Sequence, residues 1–182
     1  MAIEAEDRKR MIELARGAVK AAVTGASPPE MPPSVGLLGE KRGCFVTLTN
    51  RGALRGCIGT FQPDRPLGEM IVEMGRSAAR DPRFVTNPIT PAELPDLTIE
   101  VSVLSPLELT TEPEKLEIGR HGIYIVSGYR SGCFLPEVAT DQGWDAAEFL
   151  DYCCSHKANL PPHAWRTPEA KVYLFTSEKF EE

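Results

Sequence analysis

The chain has 182 residues, of which 42% are hydrophobic and 25% charged, and a formal net charge of −6. That size buries a sizeable core and fits one domain with room for two lobes, while the composition excludes disordered and fibrous classes. No apolar run approaches the roughly 18 residues of a membrane span, and an opening with acidic residues ahead of any apolar run does not read as a signal peptide, so the expectation is a cytoplasmic protein.

The charge is uneven. Residues 1–60 carry 9 basic and 6 acidic side chains, a balance of +3, and the remainder carries −9. A nucleic-acid partner normally requires a basic face or stripe; here Arg8-Lys9-Arg10 is the only basic run and reads as a solvated helix face. Five cysteines, including the adjacent Cys153 and Cys154, fit reduced thiols better than a disulfide framework. Cys153, Cys154, His156 and His163 match none of the usual zinc spacings, so neither a metal nor another cofactor is expected.

Residues 5–23 predict an amphipathic helix, with Ile12, Ala15, Val19 and Val23 on one face. The Pro- and Gly-rich residues 25–39 break it. Cys44, Val46 and Leu48 then alternate with Phe45, Thr47 and Thr49 as a strand, and Asn50-Arg51-Gly52 forms a turn into Leu54-Arg55-Gly56-Cys57-Ile58-Gly59, giving an antiparallel hairpin. Alternation along that second strand sends Arg55, Cys57 and Gly59 to one face and Leu54, Gly56 and Ile58 to the other.

Leu67, Met70, Ile71, Met74 and Ala78 predict a one-faced helix that stops before Asp81-Pro82. Thr90 to Glu93 reads as a short capped turn, and residues 97–103 as a half-buried strand with one face in water. A short helix is expected at residues 114–118. A second hairpin follows, from residues 121–126 and 132–135, and then one or two helical turns at 136–142. Asp145 and Glu148 make a capping box, with Trp144 and Phe149 spaced as a hydrophobic staple. The helix that follows buries Cys153 and Cys154, and residues 171–176 form a final strand. Hairpin-linked strands without strict alternation of strand and helix indicate α+β with antiparallel sheets. No G-x-G-x-x-G or P-loop supports a nucleotide-binding scaffold.

The six residues Leu54 to Gly59, followed in order by Asp81-Pro82-Arg83-Phe84, Arg120-His121-Gly122-Ile123, Leu135-Pro136-Glu137-Val138-Ala139 and Gln142-Gly143-Trp144-Asp145, resemble the AMMECR-domain family, called protein A of the AmmeMemoRadiSam system in bacteria and archaea. The resemblance covers nearly the whole chain; Cys133 departs from the small or apolar residue expected there. It implies a two-lobed fold. A larger subdomain, about residues 1–105 plus 168–182, holds an antiparallel sheet with helices, and a smaller inserted α+β subdomain spans about 106–167. It also implies that the signature strand faces a cleft between the lobes, and that the protein is associated with Memo-like and radical-SAM partners. It supplies no established catalytic activity.

Within that frame the candidate ligand-binding residues are Arg55, Gly56, Gly59, Asp81 and Glu137, and the candidate catalytic residues are Cys57 as nucleophile with His121 as its base. Each also has a structural reading. Buried free cysteines act as small hydrophobes, the glycines can serve close backbone packing, and Arg55 needs a partner that could be an internal carboxylate such as Asp81 or Glu137. Three functions remain open: a cleft-bearing accessory or recognition protein that binds a protein segment or an organic ligand; an enzyme using Cys57 in acyl or alkyl transfer; and, disfavoured by charge, an RNA-associated factor.

Overall fold

The computed structural model describes residues 3–31, 33 and 35–182. Pro32 and Ser34, within the break expected at residues 25–39, lie outside the described residues, as do Met1 and Ala2 of the acidic opening. The described residues divide into two compact units, one made of the chain up to Leu104 together with Glu178–Glu182, the other of Ser105–Ser177. Each contains a four-stranded sheet. No described helix is long and apolar enough to cross a membrane.

In the first unit, helix α1 (Ala5–Thr24) buries Met11, Ile12, Leu14, Ala15, Ala18 and Val19 on the expected stripe. Strands β1 (Cys44–Asn50) and β2 (Ala53–Thr60) form the expected antiparallel hairpin. Its turn places both Arg51 (φ 51°) and Gly52 (φ 80°) at positive φ, the backbone that matches the twist of a tight hairpin. Helix α2 (Leu67–Ala78) turns Leu67, Met70, Ile71, Met74 and Ala78 inward. Strand β3 (Leu97–Leu104) lies beside β1, and the sheet order is β2-β1-β3-β8, with β8 spanning Ser177–Glu181. Both helices pack on the sheet face that carries Cys44, Val46, Leu48, Ile99 and Val101.

β3 departs from the half-buried strand expected. As an interior strand it is buried on both faces over its last four residues, with Ser102 only 2% exposed.

The second unit orders its sheet β4-β7-β5-β6, where β4 is Glu108–Thr110, β5 Gly122–Ser127, β6 Arg130–Phe134 and β7 Ala170–Phe175. Helices α3 (Pro136–Gln142) and α4 (Ala146–Tyr152) join it. The Asp145–Glu148 capping box closes in both directions, at 2.9 and 3.0 Å, and Trp144 and Phe149 both pack on Phe134. Cys153 and Cys154 are fully buried in this core, at the start of a π-helical turn, Cys153–Lys157.

One boundary needs correction. Residues 168–182 do not all return to the larger unit, because β7 pairs with both β4 and β5 of the second sheet and only Glu178–Glu182 rejoin the first unit. The reason is register. Val172 and Leu174 supply apolar side chains to the second core, whereas the charged segment Ser177–Glu181 gives no alternation that would mark it as a separate strand.

Gly56 sets how closely β2 can approach α2. A methyl group there would lie 2.1 Å from the Ala78 carbonyl oxygen. Gly56→Ala should therefore force strand and helix apart and lower stability by about 1–3 kcal/mol, read as a lower urea midpoint with unchanged slope.

Candidate functional site

β1 and β2 do not pair in strict alternation. Leu48 lies opposite Gly56 and Thr49 opposite Leu54, which leaves Arg55 as the extra residue of a β-bulge. A bulge re-aims the side chains beside it. Leu54, expected on the core face, is 40% exposed, and Arg55, expected on the site face, is 8% exposed.

The buried guanidinium of Arg55 is held through Nε and Nη2. Nε donates to Glu93 Oε1 at 3.0 Å, and Nη2 donates to Glu93 Oε2 at 3.2 Å and to the Asn87 carbonyl at 3.1 Å. Glu93 comes from the capped turn Pro91–Asp96, where it also accepts from the Thr90 N–H at 3.1 Å and from Asn50 Nδ2 at 3.3 Å. The Arg55 hydrogen bond holds its carboxyl below the usual range. Asp81 and Glu137, the partners considered from sequence, are not the ones used. Glu93 lies 38 residues along the chain, and nothing local announces the pairing.

Asp81 has a different task. β2 is an edge strand, and Cys57 directs its backbone outward from the sheet, where its N–H donates to Asp81 Oδ2 at 3.0 Å and its carbonyl accepts from Arg83 Nη2 at 3.1 Å. Asp81 caps the 3-10 turn Pro82–Phe84 by accepting the Arg83 N–H at 3.0 Å, and it accepts Arg83 Nε at 3.0 Å and Nη2 at 2.5 Å. Its carboxylate is 3% exposed and held far below the usual carboxylate range, chiefly by Arg83. Asp81 and Arg83 thus stand where a further strand would hydrogen-bond, one way proteins blunt a sheet edge. The Phe84 ring lies 5.7 Å from the Arg55 guanidinium and 5.8 Å from that of Arg83, next to both ion pairs.

The Cys57 side chain emerges half-buried on the sheet face opposite the helices. There Thr47 Oγ1 donates to its sulfur at 3.2 Å. Beside it, Phe45 crosses Gly59 so closely that a methyl group on Gly59 would lie 2.3 Å from the ring, and Phe45 meets Phe61 edge-on at 5.0 Å. Gly56 and Gly59 are therefore both needed for close packing. Among the other thiols, burial pushes Cys44 up to about 12 and Cys133 up to about 11, and raises Cys153 and Cys154 as well. Such thiols stay protonated and inert at neutral pH.

His121 and Glu137 belong to the second unit. His121 Nδ1 accepts the Glu117 N–H at 3.0 Å, a local use of the ring. Glu137 occupies the first turn of α3 after Pro136. Of the residues singled out from sequence, Cys57 and Asp81 are brought together directly, with Arg55 beside them through Phe84. Sequence reasoning missed the roles of Thr47, Arg83 and Glu93. Of these only Arg83 carried a local signal, an arginine two residues after Asp81 across a proline. Among the described residues no group of three His, Cys, Asp or Glu side chains is gathered to hold a metal ion.

The family model AMMECR1 matches residues 12–180. The chain belongs to the AMMECR1 family. Protein MK0488 of Methanopyrus kandleri is 44% identical, with 97% of this chain and 89% of the relative aligned. Protein TK0174 of Thermococcus kodakarensis is 45% identical, over 94% of this chain and 88% of its own. The crystal structure of the uncharacterized protein PH0010 from Pyrococcus horikoshii superposes with a TM-score of 0.85 at 40% identity, covering 99% of this chain and 93% of that one. The α+β architecture of this AMMECR1-family chain, with its two antiparallel sheets, matches that structure.

Two tests follow from the ion pairs. Glu93→Gln leaves the buried Arg55 without its counter-charge and should destabilise by about 3–5 kcal/mol, seen in the urea midpoint at pH 7. Because the folded Asp81 carboxyl is held low, the stability it contributes is present above its unfolded value of about 3.9 and is lost as pH falls towards the folded one. Asp81→Asn should therefore be less stable than wild type at pH 7, and the difference should shrink by pH 3; parallel pH profiles would contradict the assignment.

Proposed function

We propose that this AMMECR1-family chain is a cytoplasmic recognition protein rather than an enzyme, an accessory component acting with Memo-like and radical-SAM proteins. The observation that carries the reading is that the charged groups of the signature region are bound to one another. Arg55 is taken up by Glu93 and the Asn87 carbonyl, and Asp81 by Arg83 and the Cys57 N–H. Their work is to hold an edge strand and its flanking turns in one shape.

Thiol attack in acyl or alkyl transfer needs a proton acceptor tuned near working pH. The carboxylate beside Cys57 is held far too low for that task, and it faces the backbone N–H of Cys57. The thiol itself receives the Thr47 hydroxyl. Free cysteines throughout agree with a reducing compartment, and the net charge of −6 opposes an RNA-binding role.

Co-expression with Memo-like and radical-SAM proteins from the same genome tests the proposal. A tagged wild-type chain should capture at least one of them, and Cys57→Ser should capture it equally well. In parallel, iodoacetamide should alkylate Cys57 no faster than a model peptide thiol. Alkylation faster by about tenfold or more, together with loss of cellular function in Cys57→Ser, would establish the enzyme instead.

A further inference from the structure

α2 has a second face. Opposite the side that fills the core, it forms one wall of an open groove of about 830 Å3, a volume within the usual range for binding sites. The groove floor is apolar. It is made by Val72 of α2, Ile58 of β2 and Pro82 of the turn after Asp81, so the Leu54–Gly59 and Asp81–Phe84 segments both reach it. Ile58 and Val72 are partly buried against the first core, which makes that floor rigid.

The rim is cationic at one end. Arg76, in the last turn of α2, and Arg80, two residues past its end, both line the groove and both are exposed. Arg80 donates one N–H to the Ala22 carbonyl at 3.1 Å; Arg76 has no hydrogen bond or ion pair among the described residues. The Ser77 hydroxyl lines the groove between them. At the far end Arg65 pairs with Glu73 and Asp64, and Glu69 adds a further carboxylate, so the positive charge of the groove is confined to the end with Arg76 and Arg80. That end is positive on a chain whose net charge is −6.

We infer that this groove binds an acidic peptide segment, with an apolar side chain seated on Ile58, Val72 and Pro82 and carboxylates held by Arg76 and Arg80. Guanidinium forks engage carboxylates in bidentate fashion, and two full positive charges outweigh the partial negative charge at the end of α2. Nucleic acid fits less well, since no aromatic side chain lines the groove for stacking. The inference rests on the recognition reading and names the surface and the chemistry of the segment recognised.

The test is selection from a random dodecapeptide display library on the full chain. The enriched peptides should carry an apolar residue beside two or more acidic ones. Their affinity, followed by fluorescence anisotropy, should fall at least about tenfold in the Arg76→Glu/Arg80→Glu double variant and weaken with added salt. Arg76→Lys/Arg80→Lys, which keeps the charge and loses the fork, should fall in between, and melting temperatures should show that both variants fold. Failure to enrich any peptide, enrichment without acidic residues, or equal binding by the folded charge-reversed variant would overturn the inference. Capture of Memo-like or radical-SAM proteins that persists in the charge-reversed variant overturns the groove and leaves the recognition reading intact. A wild-type chain that selects acidic peptides but captures neither partner does the reverse.

Discussion

The carboxylate of Asp81 is the constraint on which the signature region depends. It lies at the open edge of the first sheet, accepts the outward N–H of Cys57, and is clamped by Arg83, which in turn covers the Cys57 carbonyl. A sheet edge presents unpaired donors and acceptors to any passing strand. Here a two-residue device satisfies one donor and one acceptor, caps the turn Pro82–Phe84, and fixes Pro82 at the groove beside Ile58. An unpaired charge at a site this buried would be costly, so the low pKa of Asp81 and the rigidity of the edge have the same origin.

The Arg55–Glu93 pair does similar work at the other end of β2. The bulge turns a guanidinium inward, and the capped turn at Thr90 supplies the matching carboxylate. Phe84 lies against both cations. The segment is therefore held by a mesh of charge-assisted hydrogen bonds, each stronger than a neutral one, and not by apolar packing alone. That arrangement favours a preformed binding surface, because ordering costs are met on folding and need not be met again on binding.

Local patterning made much of the fold legible. The stripes of α1 and α2, the β1–β2 hairpin, the Thr90 turn and the Asp145–Glu148 capping box all depend on neighbours within a few residues, and each stands where its residues indicate. β4 was too short and polar to signal, and β8 too charged. Strict alternation failed at Arg55, because a bulge inserts one residue without any mark in the composition.

The sequence by itself determined the family, the α+β class and the crowding of unusual residue types between Leu54 and Gly59, since motif order and periodicity are local properties of the chain. Only the tertiary structure decided what those residues do. Glu93 joins Arg55 across 38 positions and Asp81 joins Cys57 across 24, and no spacing rule selects among carboxylates at such distances. The difference lies in where burial leaves a charge no partner but one.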